Sequence, residues 1–387
     1  MWNIFRNSVA YGWHKLTSRK IYFACMVAVP VLCTLFFISL MNEGLPLKVP
    51  AAVVDLDRSQ LSRRVVRNLS STELVDVVDK EENYHSALAK VRSGEIFGFF
   101  LIPHDFQKDA LSGKGTTVTF YSNLTVFVPG TLVFKGFKTV AVTTAGGVAM
   151  TTLSSLGINE QVSGTLLQPV VLNQNELHNP WTNYSVYLTN SFIPGVIALM
   201  VTLMACFTLC EEIKQGTSPQ WLRASGGSML MAVIGKLLPQ AVIFSCLGVA
   251  LQAWMYCWAG FPLNCNPLHM VTAMILLVLA SQGFGLLLCC AIPNLRLSLS
   301  LASLTGILAF SIAAYSFPVQ SMYGAIGIFS YILPVRYYFL IYTDQALNGV
   351  ALWYSRWYYL ALVAFIIVPL PLLPRLKKHC LNPVYVA

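Results

Sequence analysis

The chain has 387 residues, 56% hydrophobic and only 11% charged, with a mean hydropathy of +0.63. Soluble globular domains carry about a quarter charged residues, so an ordinary soluble fold is excluded and a multi-span membrane protein is expected. The formal net charge of +9 does not point to nucleic acid, because the bases are spread as inward-facing segments would spread them: Arg6, Lys15, Arg19 and Lys20 precede the first apolar run, Arg296 sits in a short polar break, and Arg375, Lys377 and Lys378 follow the last run.

Residues 1–20 space Trp2, Ile4, Phe5, Val9, Trp13 and Leu16 as a helix would, among Arg6, His14, Lys15, Arg19 and Lys20. This predicts a cytoplasmic interfacial helix, aromatics at the headgroup level and bases toward anionic lipid. The apolar run 21–41 has the ~20 residues that a bilayer requires. A cleaved signal peptide is the rival reading, but the run exceeds a signal core of about 7–15 residues and no small-x-small site follows. It is read as the first span, with the N-terminus cytoplasmic.

From 42 to 187 the composition turns polar. Strands are expected at 49–54, 74–78, 94–102 and 116–121, with helices at 58–69, 82–91 and 105–111, which together make a small α/β domain. A long helical segment, 124–156, is expected to break at Pro129-Gly130 and Gly146-Gly147. The acidic turn at Asp55 and Asp57 would suit a metal or a catalytic pair; more simply, its oxygens cap the helix beginning near Arg58. One span after a cytoplasmic N-terminus puts this domain outside.

A second span is expected at 188–210, behind an aromatic belt of Trp181, Tyr184 and Tyr187, with Pro194-Gly195 loosening its outer end. The polar interval that follows, 211–227, reads EEIKQGTSPQWLRASGG. Ser218 suits an N-cap and Pro219 the first helical position; Trp221 and Leu222 make an apolar side, Lys214 and Arg223 a basic one, and Ser225-Gly226-Gly227 an end. A short amphipathic helix on the inner membrane face is expected, an idle solvated loop being the alternative. Spans at 229–258 and 269–292 flank an uncharged outer loop, and a fifth is expected at 297–317. Segment 318–334 is bounded by prolines and interrupted by Gly324 and Gly327. At about 17 residues it is marginal for crossing, and crossing would strand the C-terminal bases outside, so a re-entrant hairpin is expected. Arg336, Asp344 and Arg356 would lie near the outer interface. A last span at 357–373 leaves the C-terminus inside.

The chain shows little reaction chemistry. Of ten Cys, Cys25, Cys33, Cys206, Cys246, Cys289 and Cys290 lie in apolar runs, and the six His lack metal-ligand spacing, so no metal site is expected. Gly113-Lys114-Gly115 and Gly235-Lys236-Leu237 both fail as phosphate-binding loops, which must end in Gly-Lys-Ser/Thr. No nucleophile elbow or zinc-protease motif occurs. The spans nearly lack Asp and Glu, so proton-coupled transport has no carboxylates to use. The chain is expected to be no enzyme and to draw its energy from a separate subunit.

Three groups of residues carry a family resemblance. Glu212, Gly216, Thr217, Gln220 and Leu222 follow the second span. Val53-Val54-Asp55-Leu56-Asp57-Arg58-Ser59, Ala87-Leu88, Gly94 and Gly98 to Pro103 with Phe106 run through the polar domain. Phe317-Pro318, Met322, Pro334 and Tyr337-Tyr338-Phe339 surround the hairpin. In order and spacing they resemble permeases of the ABC type-2 transporter family, with departures at Lys214, Pro219, Ser225 and Tyr323. The resemblance implies six transmembrane helices, a re-entrant hairpin and an inserted extracytoplasmic α/β domain. It also implies a bacterial inner-membrane permease of an ATP-driven exporter, both termini cytoplasmic. ATP and Mg would be bound by a partner ABC ATPase docking on Glu212, Lys214, Gly216, Thr217, Ser218, Pro219, Trp221, Leu222 and Arg223. Further implied partners are a second permease copy or homologous permease, membrane lipid and, compatibly, a periplasmic adaptor. A path for an amphipathic or hydrophobic substrate would pass between second and fifth spans, near Asn190, Ser191, Phe192, Thr202, Ser303, Thr305 and Ser311, which read equally well as interhelical hydrogen-bonding groups. Phe317, Pro318, Met322 and Pro334 would form an outer gate. The alternative is a non-transporting receptor or scaffold that signals between an outer partner and a cytoplasmic ATPase.

Overall fold

Helix α1 (Trp2–Thr17) buries one stripe, Ser8, Gly12 and Leu16, at the i, i+4 spacing of a single helical face. Trp2, Ile4 and Trp13 stay exposed. The first long apolar helix, α2 (Lys20–Leu40), passes through a π turn at Ala24–Ala28 just before Pro30. Proline lacks an N–H and its ring crowds the preceding turn; one wide turn accommodates both and the helix continues. These come from a computed structural model, which describes residues 2–40, 44–112, 114–167, 177–179, 183–313, 315 and 317–383. Two units compose it: Met1–Gly44 joined to Glu176–Ala387, and Leu45–Asn175. Met41, the expected end of the first span, and Trp181, of the expected aromatic belt, lie outside the described residues.

The second unit holds β1 (Val49–Asp55), α3 (Gln60–Ser70), β2 (Val75–Glu81), α4 (Tyr84–Ser93), β3 (Gly98–Ile102), α5 (Phe106–Leu111), β4 (Thr119–Ser122), α6 (Phe127–Ser155) and α7 (Glu160–Leu167). Its sheet runs β2-β1-β3-β4, parallel except for the antiparallel β3–β4 pair. The strand β1 is apolar without alternation because both faces are covered. Val49, Ala51 and Val53 pack with Val65, Leu69, Phe100 and Phe137 on one face; Ala52 and Val54 pack with Ala87, Ile96 and Phe99 on the other.

Two expectations are corrected in this unit. Helix α6 is unbroken: Pro129 is its third residue, where a helix has no partner for an N–H, and Gly146 and Gly147 keep helical geometry. The cap of α3 is Ser59, whose side chain accepts from Ser62 N, and not an Asp. Asp55 instead braces the turn before it, accepting from Asp57 N, Arg58 N and Ser62 Oγ, while Asp57 accepts from Gln107 N.

The first unit continues with α8 (Tyr184–Lys214), α9 (Ser218–Ala224), α10 (Met229–Trp258), α11 (Pro267–Ala291), α12 (Leu295–Ile312), α13 (Gly324–Ser330), α14 (Pro334–Leu347) and α15 (Leu352–Leu381). Among the described residues six helices, α2, α8, α10, α11, α12 and α15, are long and apolar enough to cross a membrane. In α8 and α11, 67% and 72% of the most apolar stretch is buried, against 22% in each of α2, α12 and α15, so the first pair is the centre and the other three the flanks. The segment 318–334, expected as a re-entrant hairpin, falls on α13 and the start of α14, a bent pair of apolar helices that extends beyond the proline boundaries. Its second limb begins at Pro334, which starts a helix well, runs on to Leu347, and bends 82° from α13.

Phe100 is fully buried beside Phe137 at 5.5 Å between ring centroids. Phe100→Ala is expected to remove about 3–5 kcal/mol from the second unit. Hydrogen exchange of the intact chain checks this: amides of β1 and β3 should lose protection while those of α8 and α11 keep theirs.

Candidate functional site

The polar interval after the second span begins inside a helix, not after it. Helix α8 runs to Lys214 and ends in a Schellman turn: Gly216, at φ +70°, donates to Ile213 O, and Thr217 N donates to Glu212 O. Glu211 and Glu212 therefore sit on the last helical turn, where both are buried.

Each carboxylate collects donors from several elements. Glu212 receives Lys236 Nζ of α10 at 2.6 Å, Tyr11 Oη of α1 at 3.1 Å and the hydroxyl of Thr217, with Lys15 Nζ at 3.7 Å. Glu211 receives Arg19 Nη1 at 2.8 Å, Gln215 Nε2 at 2.7 Å and the hydroxyl of Tyr22. Lys236 is itself buried, its ammonium 4.7 Å from the Trp221 ring centroid. Burial first, then the Glu212 charge, hold the Tyr11 phenol well above its ordinary range, so it remains a donor.

Helix α9 is fastened to this cluster as a foot. Trp221 and Leu222 point inward into a core with Ile213, Val233 and Leu376, and Trp221 Nε1 donates to Ala232 O at 3.2 Å. Ser218 is not the N-cap expected of it: Thr217 holds that position, and the Ser218 hydroxyl donates to Cys380 O at 2.8 Å, tying the foot to α15. Ser225 Oγ lies 2.9 Å from Ser8 Oγ, tying it to α1. A second Schellman turn, Gly226 N to Arg223 O and Gly227 N to Leu222 O, closes it. What remains exposed is a rim of Lys214, Gln215, Gly216, Gln220 and Arg223, with the closing Gly226 and Gly227, and Pro219 is half-buried.

The expected path residues fall into two sets. Thr202 and Thr305 line the same void between α8 and α12, as does Pro334 of the hairpin. That void is about 30 Å³, the room of one water molecule. Ser281 Oγ, fully buried beside it, has no hydrogen-bond partner among the described residues. The seam closes because small residues face large ones: a Cβ on Gly195 would come within 2.5 Å of the Phe310 ring, and one on Gly306 within 2.2 Å of Leu199 Cδ1. Asn190 and Ser191 are spent on their own helix, donating to Val186 O and Leu188 O, and Phe192 stacks on Phe310 at 4.9 Å. Ser303 is half-buried and Ser311 exposed, neither of them at the void. Of the hairpin residues, Phe317 and Pro318 are exposed and Met322 half-buried; Pro334 alone of the four reaches the seam.

Sequence reasoning missed Lys236, Glu211, Tyr11 and Tyr22. The signal was there: one Lys inside the apolar run 229–258, and an acidic doublet one step beyond another.

Removing one partner strands a buried charge. Lys236→Met is expected to cost about 3–5 kcal/mol, and Glu212→Leu added to it should recover part of that loss. Thermal unfolding of the purified chain in detergent checks the order parent, double variant, single variant.

Comparison with individually characterised proteins returned no match. The family model described as "ABC-2 family transporter protein" matches residues 20–373, which takes in the first five spans, the foot, the second unit and most of α15. The chain therefore belongs to the ABC-2 transporter family and is a multi-pass membrane protein of the permease kind.

Proposed function

We propose that this chain is the membrane-spanning permease of an ATP-driven exporter in a bacterial inner membrane, with both termini cytoplasmic and the second unit outside. A separate ABC ATPase binds ATP and Mg and docks on the exposed rim of the foot. The observation that carries this reading is the wiring of that rim: a surface fit for a partner is fastened, through the buried Glu212–Lys236 pair, to the helix that forms the seam. Orientation draws support from charge, since Arg6, Lys15, Arg19, Lys214, Arg223 and Arg375 belong to segments joined at this end of the first unit.

A path between α8 and α12 is supported by the small residues that close it, and its apolar lining suits an amphipathic or hydrophobic substrate. The open faces of α2 and α12 are available to lipid and to a second permease, same or homologous, with a periplasmic adaptor compatible on the outer unit.

The rim gives a cleaner test than the buried core of the foot. In the reconstituted complex, Arg223→Glu with Gln220→Glu should lower substrate-stimulated ATPase at least about fivefold, as reversing an interfacial charge costs of order 1 kcal/mol or more. Thermal stability of the permease should not change. Undiminished coupling would remove the docking role.

The seam can be locked. A Cβ on Gly306 would stand 3.3 Å from Leu199 Cβ, close to disulfide distance. Leu199→Cys with Gly306→Cys should crosslink on oxidation, stop ATP-dependent efflux, and recover it with reductant. Crosslinking that leaves efflux intact would place the path elsewhere.

A further inference from the structure

We propose that a cleft between the first turns of α11 and α15 binds the phosphate of an anionic phospholipid headgroup, with Arg356 as its anchoring cation. The cleft, about 380 Å³, is lined by His269, Thr272, Leu352, Arg356, Tyr359 and Leu360. It lies in the first unit, away from both foot and seam, and the proposal does not depend on the transport reading.

Arg356 is the odd group there. Its guanidinium carbon lies 3.2 Å from the Trp353 ring centroid and 5.2 Å from that of Trp357. Stacking satisfies the face of a guanidinium and leaves its in-plane N–H donors unused. Nη1 is buried and has no hydrogen-bond partner, and Arg356 makes no ion pair among the described residues. The acid one might expect to answer it, Asp344, accepts from Ser355 Oγ at 3.0 Å instead. A cation at a membrane interface with its donors free lacks an anion.

The surroundings say which anion. Helices α11 and α15 both begin at this cleft, so the positive ends of their dipoles lie toward it, although the first amides of α11 are already bonded to Asn266. Trp258, Trp353, Tyr354 and Trp357 are exposed around this end, the girdle that marks headgroup depth. Leu352 and Leu360, both exposed, give the cleft an apolar side on which an acyl chain can lie. No carboxylate is among the described residues that line the cleft, so the ammonium of a zwitterionic headgroup finds no counter-charge there. The walls are braced: Tyr359 Oη donates to His269 O at 3.1 Å, and His269 Nδ1 lies 2.8 Å from Gln345 Oε1, whose amide nitrogen is committed to Val350 O and Ser355 Oγ.

Native mass spectrometry of the delipidated full chain tests this, by titration with dioleoylphosphatidylglycerol, dioleoylphosphatidylcholine or inorganic phosphate. One tight phosphatidylglycerol adduct is expected. Arg356→Gln should weaken it about tenfold, the loss of one charge-assisted phosphate contact. Leu360→Trp fills the cleft and keeps the cation; it should weaken binding by a similar factor at parental thermal stability, and it decides the matter should Arg356→Gln fold poorly. Undiminished phosphatidylglycerol binding in the variants would overturn the proposal. So would equal affinity for phosphatidylcholine, or displacement by millimolar inorganic phosphate, which would make the ligand a free anion.

Discussion

An ammonium and a carboxylate buried together, Lys236 and Glu212 at 2.6 Å, set the terms for the first unit. Taking two such ions out of water costs several kcal/mol each, and their attraction alone does not reliably offset that. The arrangement holds because the remaining valences are filled: Tyr11 and Thr217 donate to the carboxylate, and the ammonium lies over the Trp221 ring. Those partners come from α1, from α10 and from the foot with its cap, Thr217 and Trp221. A relative shift of α1, α8, α9 or α10 would strip a donor from a charge that has no water to replace it. The pair thus contributes less to net stability than to fixing one geometry among four elements, and it makes their common end stiff.

Reaching that geometry requires backbones to approach closely, and small residues allow it. A Cβ on Gly12 would come within 2.4 Å of Gly235 O, and one on Gly235 within 2.1 Å of Ser8 Oγ. Such small-residue contacts let two helix backbones make dispersion contacts that bulkier side chains would block. Gly12 stands between Tyr11 and Trp13, and Gly235 precedes Lys236, so this contact sets Tyr11 and Lys236 over the same carboxylate. The seam between α8 and α12 uses the same device at Gly195 and Gly306 with an opposite content: no charge, a void the size of a water molecule, and an unpartnered hydroxyl at Ser281.

Much of this architecture was legible in the residues. Apolar length alone marks spans, because a bilayer demands about twenty residues and nothing else in the chain supplies them. Strand and helix periodicity marks β1 through α5, since each element there buries a face. What escaped was governed by contacts distant in sequence. Trp221 and Leu222 read as the apolar side of a helix lying on the membrane face because a seven-residue helix does not say what lies behind it; Ile213 and Leu376 do. Ser218 has the chemistry of a cap, but the nearby Cys380 carbonyl takes its hydroxyl, and Thr217 turns to Glu212. Lys236 reads as part of a failed phosphate loop, because in one dimension its partner lies 24 residues away; on adjoining helices the two are hydrogen-bonded. Pro129 and Gly146-Gly147 read as breaks because helix propensity is a local quantity, and a proline in the first turn escapes the penalty it carries elsewhere.

Helix α8 joins the two places where the unit is unusual, and the position of its one proline decides how. Pro194, a third of the way along the helix, removes a backbone hydrogen bond before Gly195 and the seam. From Gly195 to Lys214 no further proline interrupts the ladder. Thr202 at the void and Glu211 at the charged cluster are nine residues apart, about 14 Å along a helix. They lie on the same side of the only proline weak point, so the stretch between them has no soft joint in which to absorb a displacement. A displacement at the charged end of α8 would be carried to Thr202 along one continuous helix, with bending left to the turn around Pro194. The residues that close the seam, Gly195, Leu199 and Thr202, occupy the stretch just past that turn, where α8 meets Phe310 and Gly306.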